Sequence, residues 1–221
     1  FSGAIKKAMP DAIIEVLASE NIIYPNKIKL MLAIPAIRAI LKNCDIVHAL
    51  DSWPYGFIAA IASLGLKKRL IITAIGTGAV KPLYNFWKRM LLKWAYRKAD
   101  KVIAVSNNTK KEILKIIPEL KIEVINHGVD YEKFQSFESS HSPVSKPYIL
   151  SVGAWKKRKG FDFSIQAFER IKNQFSDLKY VIVGNPPEEI KKKHDRVVFL
   201  QNLSEKDLIA LYKNAELFIL L

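Results

Sequence analysis

The sequence predicts an α/β protein built on parallel sheets with helical crossovers. Three observations lead to this fold class: short apolar runs recur along the chain, segments with helical spacing separate them, and the composition is that of a globular protein. Of the 221 residues, 50% are hydrophobic and 25% are charged. These values exclude a collagen, a disordered tail and a coiled coil.

Eight short runs rich in Val, Ile and Leu are predicted as strands that are covered on both faces. The segments between them are long enough for right-handed crossovers, so the strands are expected to lie parallel. In chain order, the predicted strands cover residues 46–50, 70–75, 102–105, 122–125, 148–152, 180–183, 197–200 and 217–221.

Two of the predicted helices have features that bear on packing or function. Apolar spacing predicts one over residues 27–42, with a kink at Pro35. The other, over residues 82–98, is amphipathic and basic: its apolar face either packs on the sheet or meets anionic lipid headgroups. The apolar face consists of Leu83, Trp87, Met90, Leu91 and Trp94. In the lipid-binding alternative, the residues facing the membrane are Trp87, Lys88, Arg89, Lys93, Trp94 and Arg97.

The alternation breaks once, in a Ser-rich stretch over residues 131–146 that is typical of a surface linker. We therefore predict two Rossmann-like domains, over residues 1–130 and 147–221. The alternative is a single sheet with a long inserted loop, although structureless loops longer than about 12–15 residues are uncommon in compact domains. Both domains are expected to be incomplete in this chain.

Composition also limits the kinds of site. One cysteine, Cys44, excludes a disulfide framework, and four unclustered histidines predict no metal centre. The longest apolar stretches are far below the roughly 20 residues that span a bilayer, so a cytoplasmic protein is expected, with peripheral attachment to the inner face of the membrane as an option. The formal net charge of +14 favours anionic partners. No nucleic-acid partner is predicted, because stacking platforms and recognised motifs are not evident.

Residues 151–160 are the most informative stretch. A glycine, Gly153, follows a predicted strand, and four consecutive cations then precede a predicted helix. Parallel strands bind ligands at their carboxyl ends, and helix N-termini attract anions. The stretch therefore predicts a phosphate site; the alternative is a solvated charge run on a loop.

Polar and glycine residues follow the other strands as well. Gly184 and Asn185 end the strand over 180–183, where a plain turn and a ligand contact are equally good interpretations. Ser204, with Asp207 three residues later, predicts a helix N-cap. Ser106 is likewise interpreted as a cap, with a ligand contact as the alternative. In the first half, the residues expected at the strand ends also include Asp51, Thr73, Ile75, Gly76, Thr77, His127 and Gly128.

Taken together, these segments resemble the retaining GT-B glycosyltransferases of the family 4 type. The resemblance covers about residues 44–221. It rests on the order and spacing of Gly153…Lys159-Gly160, of residues 124–130 and of residues 181–184, followed by Phe199, Leu208 and the run over 217–220.

The resemblance implies an acceptor-side domain followed by a domain that binds a nucleotide-sugar, a UDP- or GDP-sugar. It implies hexosyl transfer to a glycan or lipid-linked acceptor with retention of configuration, in a setting such as cell-envelope polysaccharide synthesis, with no metal or cofactor required. Lys159 matches the diphosphate-binding lysine. The implied donor-diphosphate residues are Gly153, Lys156, Arg158 and Lys159; Gly184, Asn185 and Leu203 lie near the nucleotide; and Asp51, Thr73, Ile75, Gly76, Thr77, Ser106, His127 and Gly128 lie in the acceptor-side cleft.

The chain departs from the family pattern at two positions. Ala154 stands where an arginine usually helps to bind the diphosphate, and Ile75 stands where a histidine often faces the donor sugar. The paired glutamates of the family are expected after Leu221, so no catalytic residue is assigned, and the chain is expected to be an inactive fragment of a longer product. Two alternatives are a basic membrane-binding module without enzyme activity and another GT-B sugar-phosphate enzyme, such as a phosphorylase, epimerase or synthase.

Overall fold

The computed structural model describes residues 5, 7–17, 32–136, 142–191 and 194–220. The chain divides into two compact units, Phe1–Gly128 and Val129–Leu221. Each unit has a four-stranded parallel sheet flanked by helices. The predicted α/β class with Rossmann-like domains is confirmed.

The sheet of the first unit has the order β1-β2-β3-β4, and every neighbouring pair is parallel. A helical turn over Ser52–Gly56 follows β1, and a 3₁₀ turn over Lys81–Tyr84 precedes the longest helix. The strands are β1 (Ile46–Ala49), β2 (Arg69–Ala74), β3 (Lys101–Ala104) and β4 (Ile122–Val124); the helices are α1 (Ile34–Leu41), α2 (Phe57–Ala62), α3 (Gly76–Val80), α4 (Phe86–Lys98) and α5 (Asn107–Leu114).

The sheet of the second unit has the order β7-β6-β5-β8, again parallel throughout. Successive residues of β5 and β6 enter different apolar clusters: Ile149 and Ile182 lie in one, and Leu150 and Val181 in the other. The strands are β5 (Tyr148–Val152), β6 (Lys179–Val183), β7 (Val197–Leu200) and β8 (Leu217–Phe218); the helices are α6 (Tyr131–Ser136), α7 (Phe161–Ile171), α8 (Glu188–Lys191) and α9 (Glu205–Asn214).

Every predicted apolar run forms a strand, with ends that shift by one residue in most cases. Some runs continue one hydrogen bond beyond the strand: Ile125 N donates to Ala104 O at 3.0 Å, and Ile219 N donates to Leu150 O at 2.8 Å. β8 is shorter than predicted, and Leu221 lies outside the described residues.

Three helical features differ from the predictions. Pro35 lies in the first turn of α1, where its missing N–H costs nothing, rather than at a kink; residues 27–31 of that predicted helix lie outside the described part. The predicted linker begins with a short helix, α6, which Lys133 ties to α9 through an ion pair with Glu205. Residues 137–141 of the linker lie outside the described part.

The buried face of α4 differs from the apolar face whose packing was one of the two predicted alternatives, although Leu83 and Trp94 of that face do pack in the core of the first unit. Leu92, Ala95 and Tyr96 are buried against the rest of the first unit, whereas Trp87 and Met90 are exposed. This helix contacts α2 and the turn over Ser52–Gly56. Among the described residues, no helix is both long enough and apolar enough to cross a bilayer.

Candidate functional site

Two glycines lie side by side where β5 and β6 end. Gly153 N donates to Val183 O, and Gly184 N donates to Leu200 O, each at 2.9 Å, so the sheet pairing continues through both residues. A β-carbon at Gly184 would lie 2.7 Å from Gly153 O. The close approach of two backbones requires glycine at 184, and it leaves the strand ends open to a ligand.

The basic loop after β5 turns back over this glycine pair. A β-carbon at Gly153 would lie 3.9 Å from Lys159 Cε, so the partly buried stem of Lys159 lies beside the end of β5. Residues 157–159 form a 3₁₀ turn that ends at Gly160, whose φ of +62° is left-handed. Gly160 therefore suits a conformation that other residues adopt only at a cost.

Gly160 is also the residue from which α7 begins. No side chain caps the start of this 11-residue helix, so its first N–H groups remain available to an anion. Ser164 Oγ lies 3.0 Å from Phe161 O and accepts a hydrogen bond from the Tyr180 hydroxyl at 2.8 Å, which links the first turn of α7 to β6.

An aromatic stack packs against the loop, and its role was not predicted from the sequence. The Trp155 ring lies parallel to the Phe161 ring with centroids 4.9 Å apart, and it contacts the Phe199 ring edge-on at 6.2 Å. The stack joins the loop to α7 and β7. In the sequence, the signal for this stack is an aromatic residue, Trp155, between Gly153 and the run of cations.

The remaining donor-side residues lie around the same strand ends. Lys156 and Arg158 are exposed, and neither forms an ion pair with a described residue. Ala154 is exposed and supplies no polar group. Asn185 is exposed after β6, and Leu203 is half-buried after β7. Ser204 Oγ accepts from Asp207 N at 3.1 Å, which confirms the predicted N-cap of α9.

In the first unit, polar groups gather where β1 and β2 end. His48 Nε2 and Thr73 Oγ1 are 2.8 Å apart. Asp51 Oδ1 accepts from Ser52 N at 2.7 Å, and the carboxylate packs against Gly78, where a β-carbon would lie 2.5 Å from it. Burial raises the pKa of Asp51, against the effect of the Ser52 hydrogen bond, and burial lowers the pKa of His48.

A buried hydroxyl pair fixes the segment that carries Asp51. The Tyr96 hydroxyl of α4 donates to Ser52 Oγ at 2.8 Å, and both residues are almost fully buried. Burial raises the pKa of Tyr96, so the phenol stays protonated and keeps its donor. This pair has no signal in the sequence, because its two residues are 44 positions apart.

The other predicted acceptor-side residues have more varied settings. Ser106 caps α5 by accepting from Thr109 N at 3.1 Å. Ile75 is half-buried and extended at the start of α3, Gly76 follows with a φ of +45°, and Thr77 is exposed. His127 and Gly128 are exposed after β4. In the described part of the chain, no three His, Cys, Asp or Glu side chains are grouped so that they could hold a metal ion.

Comparison with known proteins decides the family. The model of Glycosyltransferase Family 4 matches residues 3–133, and the model of Glycosyl transferases group 1 matches residues 132–221. The chain belongs to glycosyltransferase family 4. The family suggested by the resemblance is therefore confirmed.

The chain is also similar to individual proteins. It is 22% identical over 202 residues to the GDP-mannose:cellobiosyl-diphosphopolyprenol alpha-mannosyltransferase of Xanthomonas campestris, a match that covers 85% of this chain and 52% of the relative. The chain thus spans about half the length of that relative.

Two solved structures share the fold. Anabaena HepE in complex with UDP-glucose matches with a TM-score of 0.65 at 18% identity, over 84% of this chain and 55% of that chain. The UDP-GlcNAc 2-epimerase of Methanocaldococcus jannaschii matches with a TM-score of 0.55 at 13% identity, over 86% and 60%. A protein crystallised with UDP-glucose and an epimerase therefore share this architecture, which identifies the fold and not the reaction.

Proposed function

We propose that this protein is a nucleotide-sugar-dependent hexosyltransferase whose second unit binds the donor diphosphate. The observation that carries the proposal is the close approach of Gly153 and Gly184 at the ends of β5 and β6, beside the stem of Lys159. Backbone without side chains, a cation and an uncapped helix start suit a diphosphate. The UDP-glucose bound to HepE and the GDP-mannose named for the Xanthomonas relative support a UDP- or GDP-sugar.

In this proposal, the donor site stabilises the negative charge that develops on the departing diphosphate. In the transfer, the bond between the anomeric carbon and the diphosphate oxygen breaks, and a bond from that carbon to the acceptor hydroxyl oxygen forms. Negative charge grows on the departing diphosphate, where Lys159 and the N–H groups at the start of α7 stabilise it. The acceptor proton passes to the departing phosphate in this proposal. Lys156 and Arg158 provide the charge that Ala154 cannot.

The first unit supplies the acceptor side in this proposal. Asp51, held beside Gly78 and raised in pKa by burial, accepts a hydrogen bond from an acceptor hydroxyl. Thr73 is buried, and its hydroxyl lies 2.8 Å from Nε2 of the half-buried His48, beside the strand ends that carry Asp51 in this proposal. The relative that acts on a cellobiosyl-diphosphopolyprenol supports a lipid-linked glycan as the acceptor. We expect retention of the anomeric configuration and no requirement for a metal.

Calorimetric titration with UDP- and GDP-sugars tests the donor site. We expect one of them to bind, and Lys159→Ala to weaken binding roughly 10- to 100-fold, because a charge-assisted hydrogen bond contributes about 1.5–3 kcal/mol. Lys206→Ala, which removes an exposed cation of the same unit, is the matched control and should bind as the unmodified protein does. Failure of every nucleotide-sugar to bind, or unchanged binding by Lys159→Ala, contradicts the proposal.

A 2-epimerase is the second candidate, since the Methanocaldococcus epimerase shares the fold. Product analysis separates the two reactions. Incubation of the intact protein with the bound nucleotide-sugar and an acceptor glycan should yield a glycoside whose anomeric signal in the proton NMR spectrum matches that of the donor, also in the presence of a chelator. Conversion of the donor to its 2-epimer without an acceptor would identify an epimerase instead.

A further inference from the structure

Helix α4 has two apolar faces, and only one of them is used for packing. Leu92 and Ala95 on the first face are fully buried. On the opposite face, Trp87 is 71% exposed, Met90 52% and Leu91 41%. A soluble helix normally exposes its polar side, so this second face requires another explanation.

The exposed apolar residues are continuous at the start of the helix. The Phe86 ring, 57% exposed, contacts the Trp87 ring edge-on with centroids 5.4 Å apart. Met90 and Leu91 follow one turn later on the same side. We call Phe86, Trp87, Met90 and Leu91 the aromatic surface of α4. Large exposed apolar groups in one patch mark an interaction site.

Uncompensated positive charge borders the aromatic surface. The sequence of α4 contains five cations and no acidic residue. Lys93 and Arg97 both pair with Glu119, whereas Lys88 and Arg89 form no ion pair with a described residue. The Arg89 guanidinium lies 5.8 Å from the centre of the Phe86 ring, so a free cation stands beside the aromatic residues.

The structure narrows the set of residues that can reach a partner. Trp94 packs edge-on against Phe57 with centroids 6.1 Å apart and is partly buried in the core of the first unit. Lys93 and Arg97 form ion pairs with Glu119, which offsets part of their positive charge. Of the residues predicted to face a membrane, Trp87, Lys88 and Arg89 are therefore the ones that we expect to contact a partner. Phe86 lies beside them.

We propose that the aromatic surface of α4 docks the protein onto a membrane leaflet that contains anionic lipid. Tryptophan and phenylalanine insert at the level of the headgroups, and each nearby cation strengthens binding to an anionic surface about fivefold. A second copy of the chain is a poor occupant, because the chain carries a net charge of +14 and α4 has no acidic residue to face the cations of a copy. The proposal does not depend on the donor site.

Sedimentation with lipid vesicles tests the docking surface. The purified chain should bind vesicles of phosphatidylcholine mixed with phosphatidylglycerol, bind pure phosphatidylcholine at least tenfold more weakly, and lose binding as salt is added. The pair Phe86→Ser and Trp87→Ser should weaken binding to mixed vesicles at least about tenfold. The pair Lys88→Gln and Arg89→Gln should weaken it by a similar factor.

Matched controls remove equivalent groups elsewhere. Phe175 is 54% exposed, so Phe175→Ser deletes a similar apolar surface in the second unit; Arg170→Gln with Lys206→Gln deletes two exposed cations there. Both controls should bind mixed vesicles like the unmodified chain, and thermal unfolding should show that all variants are folded.

Three results would overturn the proposal. The first is failure to prefer anionic vesicles, and the second is unchanged binding after Phe86→Ser with Trp87→Ser. The third is a lipid-free dimer, seen by gel filtration, that Trp87→Ser dissociates, because the aromatic surface would then join two copies of the chain. A variant that loses vesicle binding but still binds nucleotide-sugar separates this proposal from the proposed function.

Discussion

At the scale of single residues, the proposed donor site depends on how closely two backbones approach. The distance of 2.7 Å from a β-carbon at Gly184 to Gly153 O is too short for any methyl group, and the obstacle is a backbone atom that belongs to the sheet. We predict that Gly184→Ala destabilises the second unit by about 1–3 kcal/mol, measured as a lower urea midpoint. It should also weaken donor binding, since the Gly153 loop must shift.

Gly128→Ala is the control for this glycine. A β-carbon at Gly128 would meet no heavy atom within 4 Å, so the change should alter the free energy of unfolding by no more than about 0.5 kcal/mol. Equal stability of the Gly184→Ala and Gly128→Ala variants would contradict the close approach described for β5 and β6.

Asp51 provides a prediction on pH. Burial raises its pKa above the ordinary value of 3.8, so the folded state binds this proton more tightly than the unfolded state. Stability contributed by the protonated group is therefore lost as the pH rises through the folded pKa. We predict that Asp51→Asn raises the urea midpoint at pH 7 and that the gain disappears as the pH is lowered below 3.8.

The same substitution should reduce glycosyl transfer, because a carboxylate held at a cost in stability is typical of a functional site. The paired readouts distinguish a functional acid from a structural one. If Asp51→Asn is less stable than the unmodified protein at pH 7, the carboxylate is part of the structural framework and the acceptor-side role fails.

At the scale of secondary structure elements, the two sides of α4 make opposite predictions. Leu92 is fully buried and its neighbour Leu91 is 41% exposed. Leu92→Ala should therefore destabilise the first unit by about 2–5 kcal/mol, whereas Leu91→Ala should cost less than about 0.5 kcal/mol. Urea unfolding of both variants measures the difference, and a larger cost at Leu91 would restore the orientation that the sequence predicted.

The error on α4 shows which elements a sequence can define. Strands were found because a short apolar run is a local signal, and β5 and β7 have the predicted bounds. Packing of the Trp87 side, one of the two alternatives for α4, is wrong because both sides of the helix are apolar, and the local pattern does not show which side faces the core. What decides the orientation is tertiary: Ala95 permits close packing, and the Tyr96 hydroxyl finds Ser52, far away in the chain.

The candidate site likewise has a part that the local sequence predicts and a part that it does not. Gly153, Lys159 and Gly160 could be named because a glycine after a strand and cations before a helix are contiguous in sequence. The contact of Gly184 with Gly153, and that of Asp51 with Gly78, depend on which strand ends and turns are neighbours. The tertiary fold decides those contacts, because their partners lie far apart in the sequence.

At the scale of the whole molecule, the two units have separate hydrophobic cores. Ile72 in β2 and Ile182 in β6 are both fully buried, each in a cluster formed by residues of its own unit. A cavity at either position removes contacts from that cluster alone. The expected cost of an Ile→Ala change is about 2–5 kcal/mol for the unit concerned.

We therefore predict two thermal transitions that respond to different substitutions. Ile72→Ala should lower the melting temperature of one transition by at least about 10 °C and leave the other in place, and Ile182→Ala should do the reverse. Differential scanning calorimetry measures both transitions in one experiment. A single transition that both variants lower equally would mean that the two cores unfold together and that stability is a property of the whole chain. Two independent transitions would mean that each Rossmann-like unit has its own stability.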